Sequence, residues 1–236
     1  MLKFYYESDY GYDSLRWIQK REELPKIIKT DDLNRLQAQI IKDKDIGLAY
    51  FFASDFNFNP HLMRNVILES KSARYAYIFA QNIKNCDILA LQKIVVESRN
   101  IKYICKFACF IPGADHKLLE NLVLKSKNAQ YAHMFLKHVK GANIRKFKQV
   151  ILDSKKPRYL FELAKKTNNI KELSKIEDLI IESNSFTYMK MFAEKIRTAN
   201  IEKIERAVLN SNNINEIKKF AQYVKKSNLR KFLLVN

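Results

Sequence analysis

Glycine and proline are scarce, with 4 of each in 236 residues. A many-stranded β architecture needs far more turn formers than that, so the composition favours helices. No stretch approaches the ~18 consecutive apolar residues that a membrane-spanning helix requires. The opening Met1-Leu2-Lys3-Phe4-Tyr5-Tyr6-Glu7 lacks the apolar core of a secretory signal. Cysteine is limited to three residues without CxxC spacing. Reduced thiols in a cytosol-like compartment are therefore expected, and with them a cytoplasmic location. There is no glycine-rich phosphate loop, no HExxH and no paired-carboxylate signature, so neither an enzyme nor a cofactor is expected. Acid is also short: 25 Asp and Glu face 43 Lys and Arg, a formal net charge of +18.

That excess is unevenly placed. Residues 1–36 hold seven basic and seven acidic side chains, so the whole +18 lies in 37–236. The expected division is an N-terminal capping segment, 1–36, followed by one long domain, 37–236. The last twenty residues carry Lys218, Lys219, Lys225, Lys226, Arg230 and Lys231 and no acid. Lys outnumbers Arg 32 to 11. Point charges therefore dominate over the planar guanidinium forks that read phosphate bidentately.

The chain repeats itself. Val66-Ile67-Leu68-Glu69-Ser70-Lys71 returns around Ser98, Ser126, Ser154, Ser183 and Ser211, so the serines step by 28, 28, 28, 29 and 28 residues. A second phrase runs in phase: Tyr75 with Phe79-Ala80, Tyr103 with Phe107-Ala108, Tyr131 with Phe135, Tyr159 with Leu163-Ala164, and Tyr188 with Phe192-Ala193. Within each period two amphipathic stripes appear, such as Ile88, Leu91, Ile94 and Val95 followed by Tyr103, Ile104, Phe107 and Ala108. Asp87, Asp115, Asn143, Asn200 and Asn228 stand where the first helix opens. Ser72, Asn100, Asn128, Ser185 and Asn213 stand where the second opens, with Lys156-Pro157 in one copy. These are N-cap residues, and Pro is tolerated at the first helical position. Asn85, Gly113, Gly141 and Asn169 read as left-handed stops after the second helix.

Each unit is thus a helix–turn–helix that cannot bury its apolar face alone, and stacking supplies the burial. The expected fold is all-α: an α-solenoid of about six to seven 28-residue repeats with an atypical N-terminal cap. Over 37–236 the pattern resembles the HEAT-like group of helical repeats, with a period shorter than the usual ~40. It is also similar to Lys/Asn/Ile-rich repeats of AT-rich bacteria, their phages and giant viruses. The resemblance implies the solenoid and no fixed activity. Some HEAT-like proteins are DNA glycosylases working through aromatic and acidic groove residues. No equivalent set is found here, and no catalytic residue is assigned.

The N-terminal segment crowds Phe4, Tyr5, Tyr6, Tyr10, Tyr12 and Trp17 among Glu7, Asp9 and Asp13. It reads as the cap that closes the solenoid's end, with a helix from Leu15 to Glu23 and a short hairpin around Asp9-Tyr10-Gly11 before it. The alternative is an aromatic-acidic recognition segment. The serine column has no accompanying base, so its role is structural, bonding carbonyls at helix ends. The tyrosine column reads as an inter-repeat core ladder with its hydroxyls at the rim, the other reading being a stacking platform for bases. Cys105, Cys109 and His116 offer only three soft ligands and match no zinc module, so they read as ordinary side chains and no metal is expected. His133 and His138, five apart, cannot chelate one ion from a helix.

The outward face of the second helices carries the candidate site. Arg74, Lys102 and Arg158 form one column, and Lys84, Lys140, Arg197 and Lys225 another. Lys106, Lys137, Lys165, Lys166, Lys195 and Lys219 add to the same side. The function expected is a non-enzymatic interaction module whose basic solenoid surface binds an acidic protein or a nucleoprotein complex. A phage-type inhibitor of a nucleic-acid-targeting complex fits that description. The alternative is sequence-independent DNA or RNA binding in a Lys-rich groove. No membrane and no small-molecule substrate are expected.

Overall fold

The computed structural model describes residues 30–229. The N-terminal aromatic segment up to residue 29 lies outside the described residues, as do Arg230 and Lys231 of the basic tail. The described helices are Thr30–Asp43 (α1), Ile46–Asp55 (α2), Pro60–Ser70 (α3), Ala73–Asn82 (α4), Ile88–Glu97 (α5), Ile101–Phe110 (α6) and His116–Lys125 (α7). They continue with Ala129–His138 (α8), Ile144–Asp153 (α9), Pro157–Ala164 (α10), Ile170–Glu182 (α11), Phe186–Lys195 (α12), Ile201–Asn210 (α13) and Ile214–Tyr223 (α14). No strand occurs among the described residues. The seven odd–even pairs are the repeats, with odd helices first and even helices second. The chain divides into two compact units at Leu119/Glu120, and each is described by itself.

In the first unit, α2 packs on α3 and α4 on α5, while α4 also touches α2 and α6. Its core is aromatic on the second helices and aliphatic on the first: Phe52, Phe79 and Phe107 are fully buried, as are Met63, Ile67 and Leu91. In the second unit the even helices pack directly on one another, α8 on α10, α10 on α12 and α12 on α14. Successive odd helices there are bridged by Lys148–Glu172 at 2.9 Å and by Lys203–Asp178, and Lys155 of the turn after α9 reaches Glu182 of α11 at 3.0 Å.

Within a repeat the two helices are joined by a serine-centred turn. The hydroxyls of Ser70, Ser98, Ser126, Ser154, Ser183 and Ser211 donate to the carbonyl three residues back at 2.6–2.7 Å. Each accepts the N–H two residues on at 3.1–3.4 Å. The residue between is left-handed: Lys71, Arg99, Lys127, Lys155, Asn184 and Asn212 have φ of 49–54°. A left-handed non-glycine residue costs about 1–2 kcal/mol. The double serine bond holds it there and turns the chain into the next N-cap.

The caps follow the expected columns with two differences. Asp87, Asp115, Asn143 and Asn200 each accept a first-turn N–H of an odd helix. Ser72, Asn100, Asn128 and Asn213 do so for even helices, and Pro157 stands at N1 of α10. Ser185 occupies the N-cap position without a side-chain bond. Asn169 is a correction: it is not a left-handed stop but the N-cap of α11, with φ −81° and its side chain accepting the Glu172 N–H. Helix α10 is two residues shorter than the other even helices, and the Thr167 hydroxyl after it donates to the Leu163 carbonyl. Asn85, Gly113 and Gly141 do take positive φ. Asn228 lies at the edge of the described residues, and the helix it was expected to open lies beyond them.

Phe135 is fully buried and stacks on Phe147 with ring centroids 4.7 Å apart. Phe135→Ala is expected to cost about 3–5 kcal/mol, the usual loss for a buried aromatic. Urea denaturation measures it, and a loss below about 1 kcal/mol contradicts the assigned core.

Candidate functional site

The two helix layers differ in charge. The odd helices carry thirteen basic and thirteen acidic residues. The even helices carry nine basic residues against four acids, Asp55, Glu162, Glu194 and Glu216. Two of those acids serve neighbours on their own helix surface: Glu162 pairs with Lys165 at 2.7 Å and Glu216 with Lys219 at 3.2 Å. The loops that leave the even helices add Lys84, Lys140, Lys166, Arg197, Lys225 and Lys226. With the odd helices neutral, the net charge falls on the even helices, on the loops after them and on the turns within repeats, which hold Lys44, Lys71, Arg99, Lys127, Lys155 and Lys156.

In the first unit, Arg74 and Lys102 are exposed and lie over the rings of Tyr75 and Tyr103, at 5.9 and 5.6 Å. Lys106 is half-buried and lies 5.5 Å from the Tyr77 ring centre. Lys84 lies apart from these, in the loop after α4, on the wall of a cavity of about 580 Å³.

In the second unit Lys137, Lys165 and Lys166 surround His133, whose ring lies 5.9 Å from that of Tyr159. Arg158 lies over the same Tyr159 ring at 5.8 Å. Burial and the Lys166 charge hold His133 below its ordinary range, while Glu162 acts the other way. The Lys165 bond holds Glu162 below the usual carboxylate range. From Lys165 the basic surface continues into an open cavity of about 660 Å³ lined also by Thr167, Asn168, Lys195, Arg197 and Thr198. Lys140 and Lys225 are exposed on the equivalent loops of other repeats. Apart from Lys165 and Lys219, no second-unit candidate pairs with an acid among the described residues. The sequence reading missed Lys190, whose ammonium lies 4.3 Å from the half-exposed Tyr223 ring. Its signal was a position two residues after each column tyrosine, where Tyr77 and Phe161 stand in other repeats.

The column tyrosines are half-buried, and the side chain two residues on in the preceding repeat packs on them: Tyr50 on Tyr75, Tyr77 on Tyr103, Phe161 on Tyr188. One ring face is therefore already used by the neighbour. The Cys105 and Cys109 sulfurs are 3.9 Å apart. Their mutual hydrogen bond, followed by burial, pushes the Cys105 thiol up. Among the described residues no three His, Cys, Asp or Glu side chains converge as a metal set, and no helix is long and apolar enough to cross a membrane.

The chain matches no protein-family model, no curated protein and no solved structure.

A folded-state pKa below the usual His value of 6.5 means that protonation disfavours the fold. Stability is accordingly lost as pH falls through that range toward the folded value. Lys166→Ser is expected to raise the His133 pKa and lessen this loss, while burial keeps it below 6.5. An NMR pH titration of the imidazole measures it, and an unchanged pKa contradicts the lysine cluster.

Proposed function

We propose that the chain is a non-enzymatic interaction module whose second-helix face engages a polyanionic macromolecule, an acidic protein or nucleoprotein complex. The observation that carries this reading is the run from Lys137 through Lys165 and Lys166 to Lys195 and Arg197, mostly without acid partners. Cations without acid partners on one face raise the local positive potential and steer a negative surface toward it. Within the second unit the repeat supports this by placing equivalent side chains on successive second helices. The helical repeats fit a HEAT-like scaffold. An inhibitor of the kind phages carry, occupying the nucleic-acid path of a bacterial complex, is the role that joins both partner classes. Reduced thiols fit a cytoplasmic site of action.

A second reading is direct, sequence-independent binding of RNA or DNA. The scarcity of acid on the even helices favours it, because lysines that neutralise phosphates release counterions without reading bases. The arginine-poor composition favours the protein surface.

Fluorescence anisotropy with polyglutamate and with a labelled oligonucleotide separates the two. The wild type is expected to bind polyglutamate more weakly as salt rises. The combined variant Lys137→Ser, Lys166→Ser, Lys195→Ser, Arg197→Ser is expected to lose most of that affinity and keep its helical circular dichroism. Binding of the oligonucleotide alone, with a salt slope flattened by up to about four units in the variant, establishes the second reading. Salt-sensitive binding of neither probe near 0.15 M ionic strength overturns both.

A further inference from the structure

A polar column runs along the first helices six residues before each hinge serine: Arg64, Gln92, Glu120, Lys148, Glu177 and Glu205. Four members are acceptors with one task, taking the backbone N–H of the N-cap residue 23 positions on. Gln92 accepts from Asp115 at 2.8 Å, Glu120 from Asn143 at 3.3 Å, Glu177 from Asn200 at 2.9 Å and Glu205 from Asn228 at 2.6 Å. This bond ties the loop after each second helix down onto the first helix of its own repeat. Lys148 breaks the column but finds Glu172 on the next odd helix. Arg64 also breaks it: it cannot accept the Asp87 N–H, and its own Nε is buried without a hydrogen-bond partner.

Where the tie is missing, the cavity of about 580 Å³ lies open. Its wall brings Arg64 and His61 of α3 together with Asn57 and with Lys84, Asn85 and Cys86 of the untied loop. Burial raises the Cys86 thiol, so it brings no negative charge. Asp87 is committed to capping α5 through the Ala90 N–H. Among the described residues no acid forms an ion pair with Arg64, Lys84 or His61. The lining thus holds two cations and no carboxylate, at a point that lacks the tie four other repeats keep.

We propose that this cavity is a binding site for a small phosphomonoester, with the Arg64 guanidinium as its principal anchor and Lys84 as the second cation. A guanidinium offers two parallel N–H groups to a phosphate, and no acid among the described residues forms an ion pair with Arg64 to compete for them. The volume falls within the range of small-molecule sites and exceeds a bare phosphate, so an organic ester fills it better. This goes beyond a macromolecular partner and departs from the expectation that small molecules play no part. Only Lys84 is shared with the candidate basic face, and none of the residues tested for that face lines this cavity.

The column itself supplies the decisive variant. Arg64→Gln installs the residue that Gln92 already is, one able to accept the Asp87 N–H and close the loop. Calorimetric titrations at matched ionic strength would use inorganic phosphate, adenosine 5′-monophosphate and succinate. The wild type is expected to bind both phosphate compounds saturably at one site in the low-millimolar range or tighter. Arg64→Gln should weaken both by about tenfold or more with an unchanged or raised melting temperature. Lys84→Ala, on an exposed loop, should weaken them several-fold without a cost in stability. Succinate bound as tightly as phosphate, no saturable phosphate binding by the wild type, or equal binding by Arg64→Gln would each overturn the proposal.

Discussion

A 28-residue helix pair has more apolar surface than it can cover by itself. Everything else in this chain follows from that deficit. Each repeat must present Phe or Leu to its neighbour at the same depth, which is why Phe52, Phe79, Phe107, Phe135 and Phe192 are all fully buried at one position of the even helices. Because contacts run from one repeat to the next, the register between repeats must be set locally. The serine turn does this inside a repeat by holding a left-handed residue between two helices. The Glu or Gln column does it at the other end, by fixing the loop that leads into the following repeat.

Those polar fixtures also decide where charge and space are left over. Glu177 is nearly buried, and its pKa rises because desolvation outweighs the Asn200 N–H and the Lys203 charge. Asp178, beside it, pairs with Lys203. Acids are used in the odd layer to bind repeats together and to cap helices, so few remain for the even layer. The basic face of the even helices is in this sense the remainder of a structural arrangement. The cavity at Arg64 lies where one fixture is replaced by a residue of opposite chemistry.

Period and stripe were plain in the sequence because burial repeats with the helix and with the repeat alike. Most N-caps were plain because Asp, Asn and Ser at those positions have one dominant local use. Asn169 was misread because the same residue type serves both helix ends, and only the shortened α10 shows that the left-handed stop has been dropped. The left-handed turns at Lys71, Arg99, Lys127 and Lys155 were hidden, since nothing in a Lys or Arg side chain announces positive φ. Their signal was the invariant serine one residue earlier. The second-helix cations were identified by residue, but their unequal pairing was not. Ion pairs such as Lys148–Glu172 depend on which odd helices come side by side. Arg64 stood in a column whose meaning appears only when its acceptors are seen to reach 23 residues ahead.

The central claim is that repeats are held by nearest-neighbour contacts in fixed register. Removing residues 156–184 tests it most directly, because this deletes α10 and α11 and joins Lys155 to Ser185. The join recreates the Ser–left-handed–cap sequence of the other turns. The account predicts a shorter protein with unchanged ellipticity per residue at 222 nm, a single cooperative urea transition and a smaller unfolding free energy. A chain that loses its helical signal, or that melts without cooperativity, would contradict it.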